Sequence, residues 1–133
     1  MIRLPKITKI EGGAATVNSD AFSLDNYKTL AFLFENTAGA TLSVKVKASA
    51  DGGAAVPVNF LLKAVDAADF EEVESDSGKE ITDAGAFLAV VNDRMLAHDE
   101  FDSVSVSLEA DTGEVGTVYA IQDAPRYFVE DNE

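Results

Sequence analysis

Ser103-Val104-Ser105-Val106-Ser107-Leu108-Glu109 alternates apolar and polar side chains at every step. Successive side chains fall on one face at that spacing only if the backbone is extended, so the stretch predicts a strand buried on one side and wet on the other. The same rhythm returns at Leu42, Val44 and Val46, with Ser43, Lys45 and Lys47 between them. Serine, lysine and glutamate on the outward face fit an antiparallel sheet, which can leave one side in water.

Outward from these two stretches the chain reads as strand, turn, strand. Lys28 to Glu35 encloses the unbroken run Leu30-Ala31-Phe32-Leu33-Phe34 and predicts a central strand buried on both faces. Thr41 to Ala50 is the second alternating strand, and Asp51-Gly52-Gly53 is a sharp hairpin signal, because aspartate and glycine supply the positive φ of tight reversals. Val56 to Val65 predicts a returning strand, with Pro57 placing its start near a sheet edge. Ala14 to Val17, Phe70 to Glu74, Ala84 to Val91, Asp102 to Ala110 and Val115 to Gln122 are further strand candidates. Arg94 to Glu100 reads as a connection with room for one helical turn. Seven or eight short strands and no helix of normal length predict an all-β fold, a two-sheet antiparallel β-sandwich, jelly-roll-like. Phe32, Phe34, Phe60, Phe87 and Phe101 are the expected aromatic core.

The ends differ from the body. Three of the ten basic residues, Arg3, Lys6 and Lys9, lie in the first nine positions, among Ile2, Leu4 and Ile7, before Gly12-Gly13. Residues 1–13 therefore read either as an extended N-terminal arm that touches something else or as an edge strand. Residues 14–128 form the sandwich domain and 129–133 an acidic tail.

At 133 residues the chain holds one domain, long enough to bury about two thirds of its unfolded surface. The absence of cysteine removes disulfides and thiolate metal sites. No early stretch has the layout of a signal peptide and no apolar run could span a bilayer, which predicts a soluble protein made in the cytoplasm without a membrane partner. A net charge of −14 repels phosphate backbones, so nucleic acid is not an expected partner.

Chemistry is sparse. His98 is the single histidine, with Asp99 and Asp102 near it, but no serine or cysteine motif stands ready for it to activate. Asp66, Asp69, Glu71, Glu72, Glu74 and Asp76 crowd one stretch without the order of a calcium loop. Paired acids alone do not pick out a glycosidase. The expectation is a non-enzyme with no cofactor, no metal site and no catalytic residue.

The final third carries a more specific pattern. Phe101-Asp-Ser-Val-Ser-Val-Ser-Leu108, a Thr112-Gly113 turn, Val118-Tyr-Ala-Ile121 and a closing Asp123-Ala-Pro-Arg-Tyr127 resemble the end of small head proteins of tailed bacteriophages. Leu24-Asp-Asn-Tyr27, Thr41 to Ala48 running into Asp51-Gly52, Phe70-Glu-Glu-Val73 and Ile81-Thr-Asp-Ala-Gly-Ala-Phe87 agree in order, so the resemblance spans Ala21 to Phe128. It implies a virion protein that binds the outside of the capsid as a cement or decoration protein. It further implies the major capsid protein as partner, self-association as a dimer or trimer, and a place on the capsid exterior after assembly in the host cytoplasm. Arg3, Leu4, Lys6 and Ile7 of the arm, with Pro125, Arg126 and Tyr127, are the expected contact residues, since arginine and tyrosine are favoured at interfaces. The competing expectation is a non-catalytic module for glycans or a host surface, with Tyr27 and Tyr119 as exposed aromatics.

Overall fold

The computed structural model describes residues 6–23, 27–36, 40–50, 53–75, 78–92 and 101–125. Among them there is no helix, and the strands build two antiparallel sheets stacked as a sandwich. In the first sheet the order is β1 (Lys6–Ile10), β12 (Val118–Pro125), β4 (Tyr27–Asn36), β10 (Gly85–Asn92), β7 (Phe60–Ala64) and β8 (Glu71–Val73). In the second, β11 (Ser103–Ala110) and β5 (Leu42–Ser49) lie at the centre. The short strands β2 (Thr16–Asn18) and β3 (Phe22–Ser23) share the free side of β11, while β6 (Val56–Val58) and β9 (Lys79–Ile81) share that of β5.

The two alternating stretches are therefore partners. Val104 lies opposite Ala48, Val106 opposite Val46 and Leu108 opposite Val44, and all six are buried. Ser103, Ser105, Ser107 and Lys45, Lys47 share the outward face, as the period of two demands. The first sheet answers with Leu30, Phe32 and Phe34 from β4, Ala89 and Val91 from β10, Phe60 and Leu62 from β7, and Val118 and Ala120 from β12. Phe34 and Phe87 are register partners whose rings stack at 6.1 Å. Phe22 of the second sheet meets Phe32 of the first edge to face at 6.1 Å, tying the layers together. Phe32, Phe34, Phe60 and Phe87 are buried as expected; Phe101 is half-buried against the same core.

Buried polar groups are used as ties. The Gln122 Nε2 donates to the Ser23 carbonyl at 2.7 Å, joining β12 to β3 across the sandwich. Asn36 Nδ2 lies within hydrogen-bond distance of the carbonyls of Ala40, Ile81 and Asp83 at 3.0, 3.2 and 3.1 Å, where β4 leaves its sheet. A buried amide without such partners would cost stability, and here it fixes three chain segments to one point.

The stretch expected as one strand from Val56 to Val65 is two. Val56–Val58 pairs with β5 in the second sheet and Phe60–Ala64 with β10 in the first, so the chain changes layers at Asn59. Asn59 Oδ1 accepts the Ser75 N–H at 2.8 Å, fastening the bend. Pro57 does fall on an edge strand, where its missing N–H costs no ladder bond. Lys79–Ile81, between the expected strands at Phe70 to Glu74 and Ala84 to Val91, is a further strand whose Ile81 is buried opposite Leu42. Val115 forms an isolated bridge with Ala14, and the last strand begins at Val118.

Candidate functional site

Residues 1–13 left a choice between arm and edge strand, and Lys6–Ile10 is an edge strand. β-Branched Ile7, Thr8 and Ile10 suit an extended chain, and the strand runs antiparallel to β12 with Lys6 opposite Gln122 and Ile10 opposite Val118. Among the described residues only one side of β1 is paired. Lys6 and Lys9 on such an edge discourage unspecific pairing with other strands. Lys9 meets Glu11 at 3.4 Å, an exposed pair worth little stability.

The antiparallel register has a consequence for the expected contact residues. The start of β1 and the end of β12 lie at the same end of the sheet, with Lys6 level with Gln122, and β12 continues to Pro125 beside Tyr27 of β4. Lys6, Ile7 and Pro125 thus belong to neighbouring strands. Arg3, Leu4, Arg126 and Tyr127 lie outside the described residues, as do His98, the connection around it and the acidic tail.

The sequence reading missed the outer face of the first sheet. Leu30 to Phe34 was expected to be buried on both sides. Leu30, Phe32 and Phe34 are indeed buried, but Ala31 and Leu33 are only half-buried, because no described element covers that side. Cross-strand register extends this into two rows. One runs Ile7, Ile121, Ala31, Val90 and Leu61, from β1 to β7. The next runs Lys9, Tyr119, Leu33, Leu88 and Lys63. Ile7 is 60% exposed and Tyr119 40%. The two sheets therefore differ in what they present to solvent: serine, lysine and glutamate on one broad face, and on the other a half-buried centre of Ile, Leu, Val and Tyr with Lys9, Lys63 and Glu35 around it.

A shallow depression of about 370 Å³ opens on this apolar face, lined by Leu33, Phe34, Glu35, Ala86, Thr117 and Tyr119. Glu35 is exposed at its wall, and its carboxylate has no partner among the described residues. The lysines nearby are engaged: Lys63 donates to the Ala67 carbonyl at 2.9 Å and lies 5.4 Å from the centre of the Phe70 ring. A second cavity, about 220 Å³, lies between β7, β8 and β9, and the Lys79–Glu71 ion pair of 3.1 Å lies among its walls. Among the described residues no three His, Asp or Glu side chains are placed to hold a metal ion. Asp66, Asp69, Glu71, Glu72 and Glu74 are exposed.

No family model matches the sequence and no curated protein is similar to it. The fold does have a counterpart: the chain superposes on the crystal structure of the SPBc2 prophage-derived protein YomS with a TM-score of 0.59. The match covers 92% of this chain and 96% of that one at 16% sequence identity, a likeness of fold along almost the whole length of both.

Proposed function

We propose that this chain is a phage virion structural protein that binds the outer surface of the capsid as a cement or decoration protein and bridges major capsid subunits. The observation that carries the reading is the fold likeness to a prophage-derived protein over 92% of this chain and 96% of that one. The pairing of β1 with β12 supports it further, because it gathers Lys6, Ile7 and Pro125 on one margin of a rigid sandwich. The acidity of the chain keeps it from the packaged genome.

The mechanism is clamping without chemistry. Each copy, alone or as a small oligomer, lays its terminal margin across shell subunits, and repetition over a symmetric shell multiplies modest contacts into firm attachment. No residue is assigned a catalytic role. Co-sedimentation of the purified protein with heads of the phage that encodes it tests this reading. Attachment that falls in Lys6→Glu and Ile7→Asp variants is expected; no attachment of the intact protein overturns it. Point variants suit this test better than removal of residues 1–13, which would uncover β12.

A second reading rests on Tyr119, an exposed aromatic beside Glu35 and Thr117 on the rim of a depression. Such a group could stack on a sugar. A glycan array distinguishes the two, with binding lost in Tyr119→Ala required for the glycan reading.

A further inference from the structure

We infer that the apolar outer face of the first sheet is a protein-docking surface, and that its occupant is a basic partner surface presenting an apolar side chain next to an arginine or lysine. The inference rests on the proposed virion role for the partner's identity, a shell subunit, but on the sheet itself for its chemistry.

Folding alone gives no reason for this face. The second sheet shows that the chain can dress an outward face with Ser103, Ser105, Ser107, Lys45 and Lys47. The first sheet instead sets Ile7, Ile121, Ala31, Val90 and Leu61 in one row and Tyr119, Leu33 and Leu88 in the next, with Lys9 and Lys63 at the two ends of the second. Contiguous apolar surface of this kind marks an interaction site more often than an accident of packing. The depression between Leu33, Ala86 and Tyr119 supplies the concave feature into which an anchor side chain fits, and a tyrosine beside it is a favoured residue at the centre of an interface.

Charge decides what comes to it. Glu35 stands exposed at the wall of the depression, with no partner among the described residues. Glu72, exposed opposite Leu61, adds a second acidic group. Lys63 is turned to Phe70 and the Ala67 carbonyl, and Lys9 to Glu11. A second copy is a poor occupant, because two chains of −14 each would bring like charges together. Strand spacing of about 4.8 Å gives two rows over five strands an extent of roughly 300 Å², whereas a stable interface takes about 800 Å² from each partner. The face therefore acts with neighbouring surface, and its first row ends at Ile7 on the β1 margin that the virion reading already assigns to contact.

A random peptide display library panned on the purified protein tests the inference, with selected peptides synthesised for affinity measurement. Peptides that pair an aromatic or branched apolar residue with Arg or Lys are expected, with affinity falling about tenfold or more for Glu35→Lys and Tyr119→Ala. Lys47→Glu, on the serine face, should bind them as the parent does. Glu35 is exposed, so its reversal leaves the fold intact and serves as the check if Tyr119→Ala weakens the sheet. Selection of no such motif, peptides indifferent to Glu35, a dimer in sedimentation that Glu35→Lys alters, or saccharide binding lost with Tyr119 would each overturn it. The same variants on phage heads separate the two levels. Heads that bind parent and variants equally leave the virion role standing and remove this surface from it, while heads that bind neither, with peptides still selected, do the reverse.

Discussion

Asp111 and Thr41 exchange two hydrogen bonds between the turn after β11 and the entry to β5. The Thr41 N–H donates to Asp111 Oδ1 at 2.8 Å, and the Asp111 N–H donates to the Thr41 carbonyl at 3.0 Å. The bond from the Thr41 backbone holds the Asp111 carboxyl below its ordinary value of 3.8. A depressed carboxyl contributes stability that is complete above its unfolded value and is lost as pH falls through the folded one. Asp111→Ala should therefore melt below the parent at neutral pH. That gap should close as the pH is lowered beneath about 4, which thermal melts over a pH series will read. A gap that persisted in acid would locate the effect in the turn backbone rather than the carboxylate.

Asn36 holds three segments at one point, so its loss should be felt in all of them. Asn36→Leu removes the donor and leaves buried carbonyls without it, at a cost of about 1–3 kcal/mol. Urea unfolding measures it, and hydrogen exchange should show faster opening around Ile81 and Asp83. An unchanged midpoint would contradict the assigned bonding.

Gly12 is required by space rather than by turn geometry. A Cβ built there would lie 2.2 Å from the Gly116 carbonyl oxygen, a backbone atom that cannot rotate aside. Gly12→Ala should destabilise by about 1–3 kcal/mol, as overpacking does, and should loosen β1 from β12. Gly13, with φ at 102° and open space around it, should tolerate a D-alanine introduced by chemical synthesis without that loss.

The two faces of the first sheet should answer mutation differently. Phe32→Ala opens a cavity between the layers and should cost about 3–5 kcal/mol. Leu88→Thr, on the outer face, keeps a strand-forming residue and should cost under about 1 kcal/mol. Denaturation midpoints of the two variants check this. A large loss at Leu88 would mean that the outer face is covered in the free protein.

Ser103 to Glu109 and Leu42 to Lys47 announced themselves as one-sided strands through strict alternation, and the burial of Val104, Val106 and Leu108 follows from it, whereas their pairing with each other is seen only in the fold. Lys79–Ile81 could not be read, because three residues are too few to display a period and two of them are charged. The layer change at Asn59 was hidden in a run whose polar break is one residue, and its fastening, the Asn59 side chain on the Ser75 N–H, depends on a segment further along the chain. For the outer face, an unbroken run such as Leu30 to Phe34 has the same composition whether its second side is covered or open, and only the neighbouring strands decide. The margin of Lys6, Ile7 and Pro125 was nameable as residues, but their proximity comes from register. The unpaired Glu35 beside Tyr119 left no local signal.

The most direct test of the account is a cryo-EM map of the phage particle with this protein bound. The account predicts sandwich-shaped density outside the shell, with the Leu33 and Tyr119 face and the β1 margin toward the capsid and the Ser105 face toward solvent. Particles without the protein, or density with the serine face against the shell, would contradict it.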